Sequence, residues 1–94
     1  MLGRYERALQ MQQEAYSGRV RLNGEEHAQT LRAADNYALS LLTLRRFEEA
    51  KALLRKTMPV ARRVLGEGYQ LTLKMRHNYA ASLCNDPAAT LADL

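Results

Sequence analysis

The stretch Asn36-Tyr37-Ala38-Leu39-Ser40-Leu41 returns 42 residues later as Asn78-Tyr79-Ala80-Ala81-Ser82-Leu83. The match extends outward without a gap. Leu2, Arg4, Glu6 and Ala8 recur as Leu44, Arg46, Glu48 and Ala50, with Tyr5 answered by Phe47. Arg21, Gly24 and Glu25 recur as Arg63, Gly66 and Glu67, and Thr30-Leu31 as Thr72-Leu73. A fixed period of this length marks stacked supersecondary units, each burying its apolar face against the next. Such arrays present extended surfaces more readily than enclosed pockets, which favours binding over catalysis.

Within one period the apolar residues follow a helical rhythm. Tyr5, Ala8, Leu9, Met11, Ala15 and Tyr16 mark a long helix over 4–22, and Leu31, Ala34, Ala38 and Leu41 a shorter one over 30–44. Phe47, Ala50, Leu54, Met58, Ala61 and Leu65 predict a second long helix over 47–65, and Met75, Tyr79 and Leu83 a second short one over 71–84. Steps of three and four place these side chains on one helical face. β-Branched residues are scarce, so strands have little support. Gly24 and Gly66 follow the ends of the long helices, where glycine can take the left-handed conformation that closes a helix. Short links make neighbouring helices antiparallel, so each unit is a helical hairpin. Ala8/Ala50 and Ala38/Ala80 allow close backbone approach, with Tyr37/Tyr79 and Leu41/Leu83 filling the space beside them. Pro59 removes a backbone hydrogen bond inside the third helix and should kink it. Its counterpart Ser17 precedes Gly18, so the first helix should weaken at the same level.

The segment 30–65 is then a complete hairpin, 4–22 the long helix of an upstream unit, and 71–84 the short helix of the next. Asp86-Pro87 and Thr90-Leu91-Ala92-Asp93 read as the start of a further helix over 85–94. The phase is that of an array cut within a unit at both ends. Open apolar faces on its first and last helices would favour self-association.

Composition narrows the function. The 94 residues are 47% apolar and 26% charged, in the range of globular domains. No apolar run is long enough to span a membrane, and no charged segment leads into an apolar leader. A single cysteine, Cys84, cannot form an internal disulfide, which fits a reducing, cytoplasmic setting; it reads as a small apolar helix residue. The net charge is +4. Its basic residues lie in small groups interleaved with acids such as Glu48-Glu49, so they read as a solvated outer face rather than a stripe tracking nucleic-acid phosphates. His27 and His77 are far apart in sequence, and no Cys, His, Asp and Glu cluster has metal-ligand spacing. No Gly-rich loop follows a strand, and Ser40 and Ser82 sit at small packing positions. The chain reads as no enzyme, with neither cofactor nor metal.

These residues resemble the tetratricopeptide repeats of the kinesin-light-chain type, whose pattern runs L-G-x-x-H-P-x-T, then N-N-L-A, then G-x-Y-x-x-A. Gly24, His27, Thr30, Leu31, Asn36 and Ala38 fit it, as do Leu65, Gly66, Thr72, Asn78 and Ala80. Gly3, Tyr5 and Ala8 fit the last part, with Phe47 and Ala50 again. Tyr69 departs by replacing His, Ala28 and Gln70 by replacing Pro, Tyr37 and Tyr79 by replacing Leu, and Arg45 by replacing the turn Gly.

The resemblance implies an all-α, right-handed α-solenoid of antiparallel hairpins acting as a protein–protein interaction scaffold. The shorter helices would line its groove. It offers Asn36 and Asn78 as hydrogen-bonding groups for an extended peptide, or alternatively as groups that only stabilise the hairpin. Arg32 and Lys74, four residues earlier on the same face, would pair with acidic side chains or a terminal carboxylate, or serve merely as surface charge. Asp35 and His77 beside the asparagines would tune the local charge. Two other functions stay open: a purely structural segment of a longer array, and nucleic-acid binding by the basic outer face.

Overall fold

The computed structural model describes residues 2–84. It holds four helices, α1 (Leu2–Asn23), α2 (Ala28–Thr43), α3 (Phe47–Leu65) and α4 (Gln70–Cys84), with no strand among the described residues. The expected further helix over 85–94, with its Asp86-Pro87 start, lies outside them. Each helix packs on the next, and α2 also packs on α4. The chain is therefore an all-α stack of helical hairpins in two layers. The short helices α2 and α4 touch in one layer, while the long helices lie in the other.

The core sits where the repeat places its apolar residues. Leu31, Ala34 and Ala38 of α2 meet Leu54, Met58 and Ala61 of α3 and Leu71 and Met75 of α4. Ala34, Ala38, Leu54, Ala61 and Met75 are completely buried. A smaller cluster of Leu9, Leu41 and Ala50 joins α1 to the α2–α3 turn. Ala50 is sealed, as expected of a close-approach position, whereas its counterpart Ala8 is exposed.

The repeated threonine has a clear task. Thr30 Oγ1 donates to the carbonyl of Arg19 at 3.3 Å, and one period on Thr72 Oγ1 donates to the carbonyl of Ala61 at 3.5 Å. Each bond is long, but each satisfies a fully buried hydroxyl and joins a short helix to the long helix before it.

The helix ends explain the turns. Gly24 has φ +82° and its amide donates to Val20 O. Gly66 has φ +96° and ψ 154°. That lies beyond the left-handed helical basin expected for it, in a region essentially closed to other residues. Here the chain must leave α3 extended to reach α4 in four residues. At the end of α2, Arg46 N donates to Leu41 O at 2.8 Å and Arg45 N to Leu42 O at 3.0 Å. This is a Schellman closure, and Arg45 holds its left-handed position with φ 60° where glycine is usual. At the start of α2, His27 Nδ1 accepts from Gln29 N at 3.1 Å, a side-chain cap that Tyr69 cannot reproduce for α4.

α1, expected to weaken near Gly18, runs unbroken through it, and α3 continues through Pro59 as one helix rather than two. Pro59 is exposed, while Met58 and Ala61 on either side are held in the core. Packing of that face offsets the hydrogen bond that Pro59 cannot make. None of the helices is long and apolar enough to cross a membrane.

Candidate functional site: the groove between the short helices

Because α2 and α4 touch in one layer, their outer faces form a shared groove. Arg32, Asp35, Asn36 and Leu39 follow helical spacing on α2, and Gln70, Leu73, Lys74, His77 and Asn78 do so on α4. A cleft of ≈ 560 Å³ lies between these rows, lined by Asp35, Asn36, Leu39, Leu73, Lys74 and Asn78, with Gln70 and His77 at its side. A second of ≈ 210 Å³ adjoins it and adds Arg32 and Tyr69. All six residues singled out from the sequence thus line one face.

Their environments differ sharply. Asp35 is only 7% exposed, and its Oδ1 accepts a hydrogen bond from Asn78 Nδ2 at 2.8 Å. Burial pushes the Asp35 carboxyl above its ordinary value, although the Asn78 hydrogen bond and the Lys74 charge oppose that rise. Asn78 is half-buried, and it bridges α2 and α4. Asn36, its counterpart, is exposed and makes no side-chain hydrogen bond among the described residues. Arg32 and Lys74 are exposed without an ion pair there, and His77 is exposed beside them.

The groove offers peptide-compatible chemistry: a free amide at Asn36, two cations and apolar footholds at Leu39 and Leu73. Those leucines are 52% and 47% exposed. Sequence reasoning did not single them out, because Leu73 repeats Leu31, a residue sealed in the core at 1% exposure. Only the uncovered side of α4 distinguishes them. Tyr69 was noted as a departure from the repeat pattern; its position at the groove edge, 49% exposed, is visible only in three dimensions.

Away from the groove several cations are paired. Lys56 meets Glu25 at 3.2 Å, Arg63 meets Glu26 at 2.9 Å, and Arg46 holds Glu49 through two bonds of 2.7 and 2.9 Å. Arg55 donates to the Tyr79 hydroxyl at 2.9 Å. Among the described residues, no group of three His, Cys, Asp or Glu side chains is placed to hold a metal ion.

No curated protein and no solved structure matches the chain significantly. A family model described as the tetratricopeptide repeat matches residues 1–63. That span includes α1, α2 and nearly all of α3, the helices whose 42-residue spacing and two-layer packing have just been described. The chain belongs to the tetratricopeptide repeat family, whose members are generally non-catalytic protein–protein interaction modules.

Proposed function

We propose that this chain binds an extended peptide segment of a protein partner along the groove between α2 and α4. The observation that carries the reading is the set of unsatisfied groups on one face. Asn36, Arg32 and Lys74 are exposed, with no side-chain hydrogen bond or ion pair among the described residues, beside Leu39 and Leu73. Asn36 would bond the peptide backbone, and Arg32 and Lys74 would pair with acidic side chains or a terminal carboxylate. His77 would adjust charge at the rim, while Asp35 and Asn78 keep the two helices in register. The repeat is of the kinesin-light-chain type on this reading, supported by its 42-residue period and the asparagine at the same place in each unit. Its organisation is α1 from one unit, the α2–α3 hairpin from the next, and α4 opening another. An intracellular setting fits the lone Cys84, and no catalytic role is assigned.

Acidic partners set among the outer-face cations, Glu25 on Lys56 and Glu26 on Arg63, favour this reading over nucleic-acid binding, because they interrupt a stripe that would track phosphates. Selection of peptides from a random displayed library on the full chain tests it. Selected peptides should lose at least roughly tenfold in affinity with Lys74→Glu and with Asn36→Ala. Peptides that bind both variants as well as the parent would place binding elsewhere. Asn78→Ala is the poorer probe, since its amide already serves Asp35.

A further inference from the structure

The seam between α1 and α2 departs from the repeat in a consistent way. One unit on, the equivalent seam is solid core: Leu54 and Ala61 of α3 meet Leu71 and Met75 of α4, all buried. Forty-two residues earlier the same four positions are Gln12, Arg19, Gln29 and Ala33. Three of the four have become polar, and the last has shrunk. The result is an open cleft of ≈ 460 Å³ that also takes in Arg32 and Asn36. Among the described residues, no acidic side chain lines it. Neither Arg19 nor Arg32 has an ion pair among the described residues.

We infer that this cleft is a phosphoryl-group site, which receives a phosphorylated serine or threonine of a peptide lying in the adjoining groove. The inference rests on the groove reading, because Arg32 and Asn36 line both surfaces. Two guanidinium groups match the nearly divalent charge of a phosphate monoester, whereas a carboxylate would leave one of them uncompensated. Guanidinium forks bind phosphate oxygens through paired N–H donors. The side-chain amides of Gln12, Gln29 and Asn36 add donors for the remaining oxygens. Thr30 fixes the site's frame, because its hydroxyl ties the first turn of α2 to the backbone at Arg19. A polyphosphate strand is disfavoured, since Asp35 lies immediately beyond Asn36 in the groove and would meet the next phosphate.

The test is a titration of the full chain, followed by ¹H–¹⁵N spectra that include the side-chain amides and arginine Nε–H groups. The probes are the capped pentapeptide Gly-Gly-phosphoserine-Gly-Gly and its aspartate twin. Saturable shifts at Arg19, Arg32, Gln12 and Gln29 are expected, with the phosphopeptide bound roughly tenfold more tightly than the twin. Arg19→Gln and Arg32→Gln should each abolish those shifts, with circular dichroism confirming the fold, while Arg62→Gln, an exposed cation of α3 outside both clefts, changes the affinity by less than about twofold. Several results overturn the site: no saturable binding, equal response to both peptides, or binding that survives Arg19→Gln. Tighter binding of a single-stranded oligonucleotide than of the phosphopeptide also overturns it. Binding that depends on Lys74 but not on Arg19 removes this site and leaves the groove standing. Peptide selection judges the groove independently.

Discussion

Asn78 donates its side-chain amide to Oδ1 of Asp35 at 2.8 Å, joining the two short helices across 43 residues of sequence. The acceptor is buried at 7% exposure, so this bond satisfies a carboxylate that water barely reaches. Removing the donor leaves that oxygen to carry its desolvation alone. Asn78→Ala should therefore cost about 1–3 kcal/mol in urea unfolding. Its exposed counterpart Asn36→Ala should stay within about 0.5 kcal/mol of the parent. Equal costs at the two positions would mean that the bond carries no stability.

The same carboxyl sets a pH dependence. Burial raises the folded-state pKa of Asp35 above its ordinary 3.8, against the opposing effects of Asn78 and Lys74. The folded chain thus holds this proton more tightly than the unfolded chain does. Its contribution to stability is fully present below pH 3.8 and is lost as pH rises through the folded value. Asp35→Asn should remove that slope, which is read as the difference between the stability–pH curves of parent and variant. A difference curve that is flat, or that rises with pH across this window, refutes the assignment.

Arg45 occupies the left-handed closing position of α2 with φ 60°. A side chain there costs about 1–2 kcal/mol relative to glycine, partly offset by the greater freedom of glycine in the unfolded chain. Arg45→Gly should raise stability by up to about 1 kcal/mol, measured as the urea midpoint at constant slope. A lowered midpoint would indicate that the exposed arginine makes contacts outweighing its backbone strain.

Gly66 presents the opposite case. A Cβ built on it meets nothing within 4 Å, so no clash opposes a side chain. Its φ of +96° and ψ of 154° nonetheless exclude one, and Gly66→Ala should cost about 1–3 kcal/mol. Gly68→Ala is the control, with equally open space and no positive φ. Comparable melting shifts for the two would show that the turn relaxes freely.

Leu31 and Leu73 occupy the same repeat position but differ in exposure, at 1% and 47%. Leu31→Ala should cost about 2–5 kcal/mol by leaving a cavity. Leu73→Ala should cost less than about 0.5 kcal/mol and should weaken peptides selected on the groove. Thermal melts of the pair, with binding measured in parallel, separate packing from recognition.

The sequence by itself determined the periodic part of this protein. Apolar steps of three and four, with glycine after each long helix, are local signals. They located α1 to α4, and the recurrence of Asn36-Tyr37-Ala38 as Asn78-Tyr79-Ala80 revealed the stacked hairpins. The fate of equivalent residues was decided only by tertiary structure, because burial depends on which neighbour covers a face. Identical leucines became core at Leu31 and groove at Leu73. Identical asparagines became an exposed amide at Asn36 and an inter-helix bond at Asn78, since only Asn78 has Asp35 within reach. The seam that is solid at Leu54 and Met75 opened at Gln12 and Ala33, because side chains there are too polar or too small to fill it. Periodicity reports the backbone's plan; which side chains remain free to bind follows from what packs beside each copy.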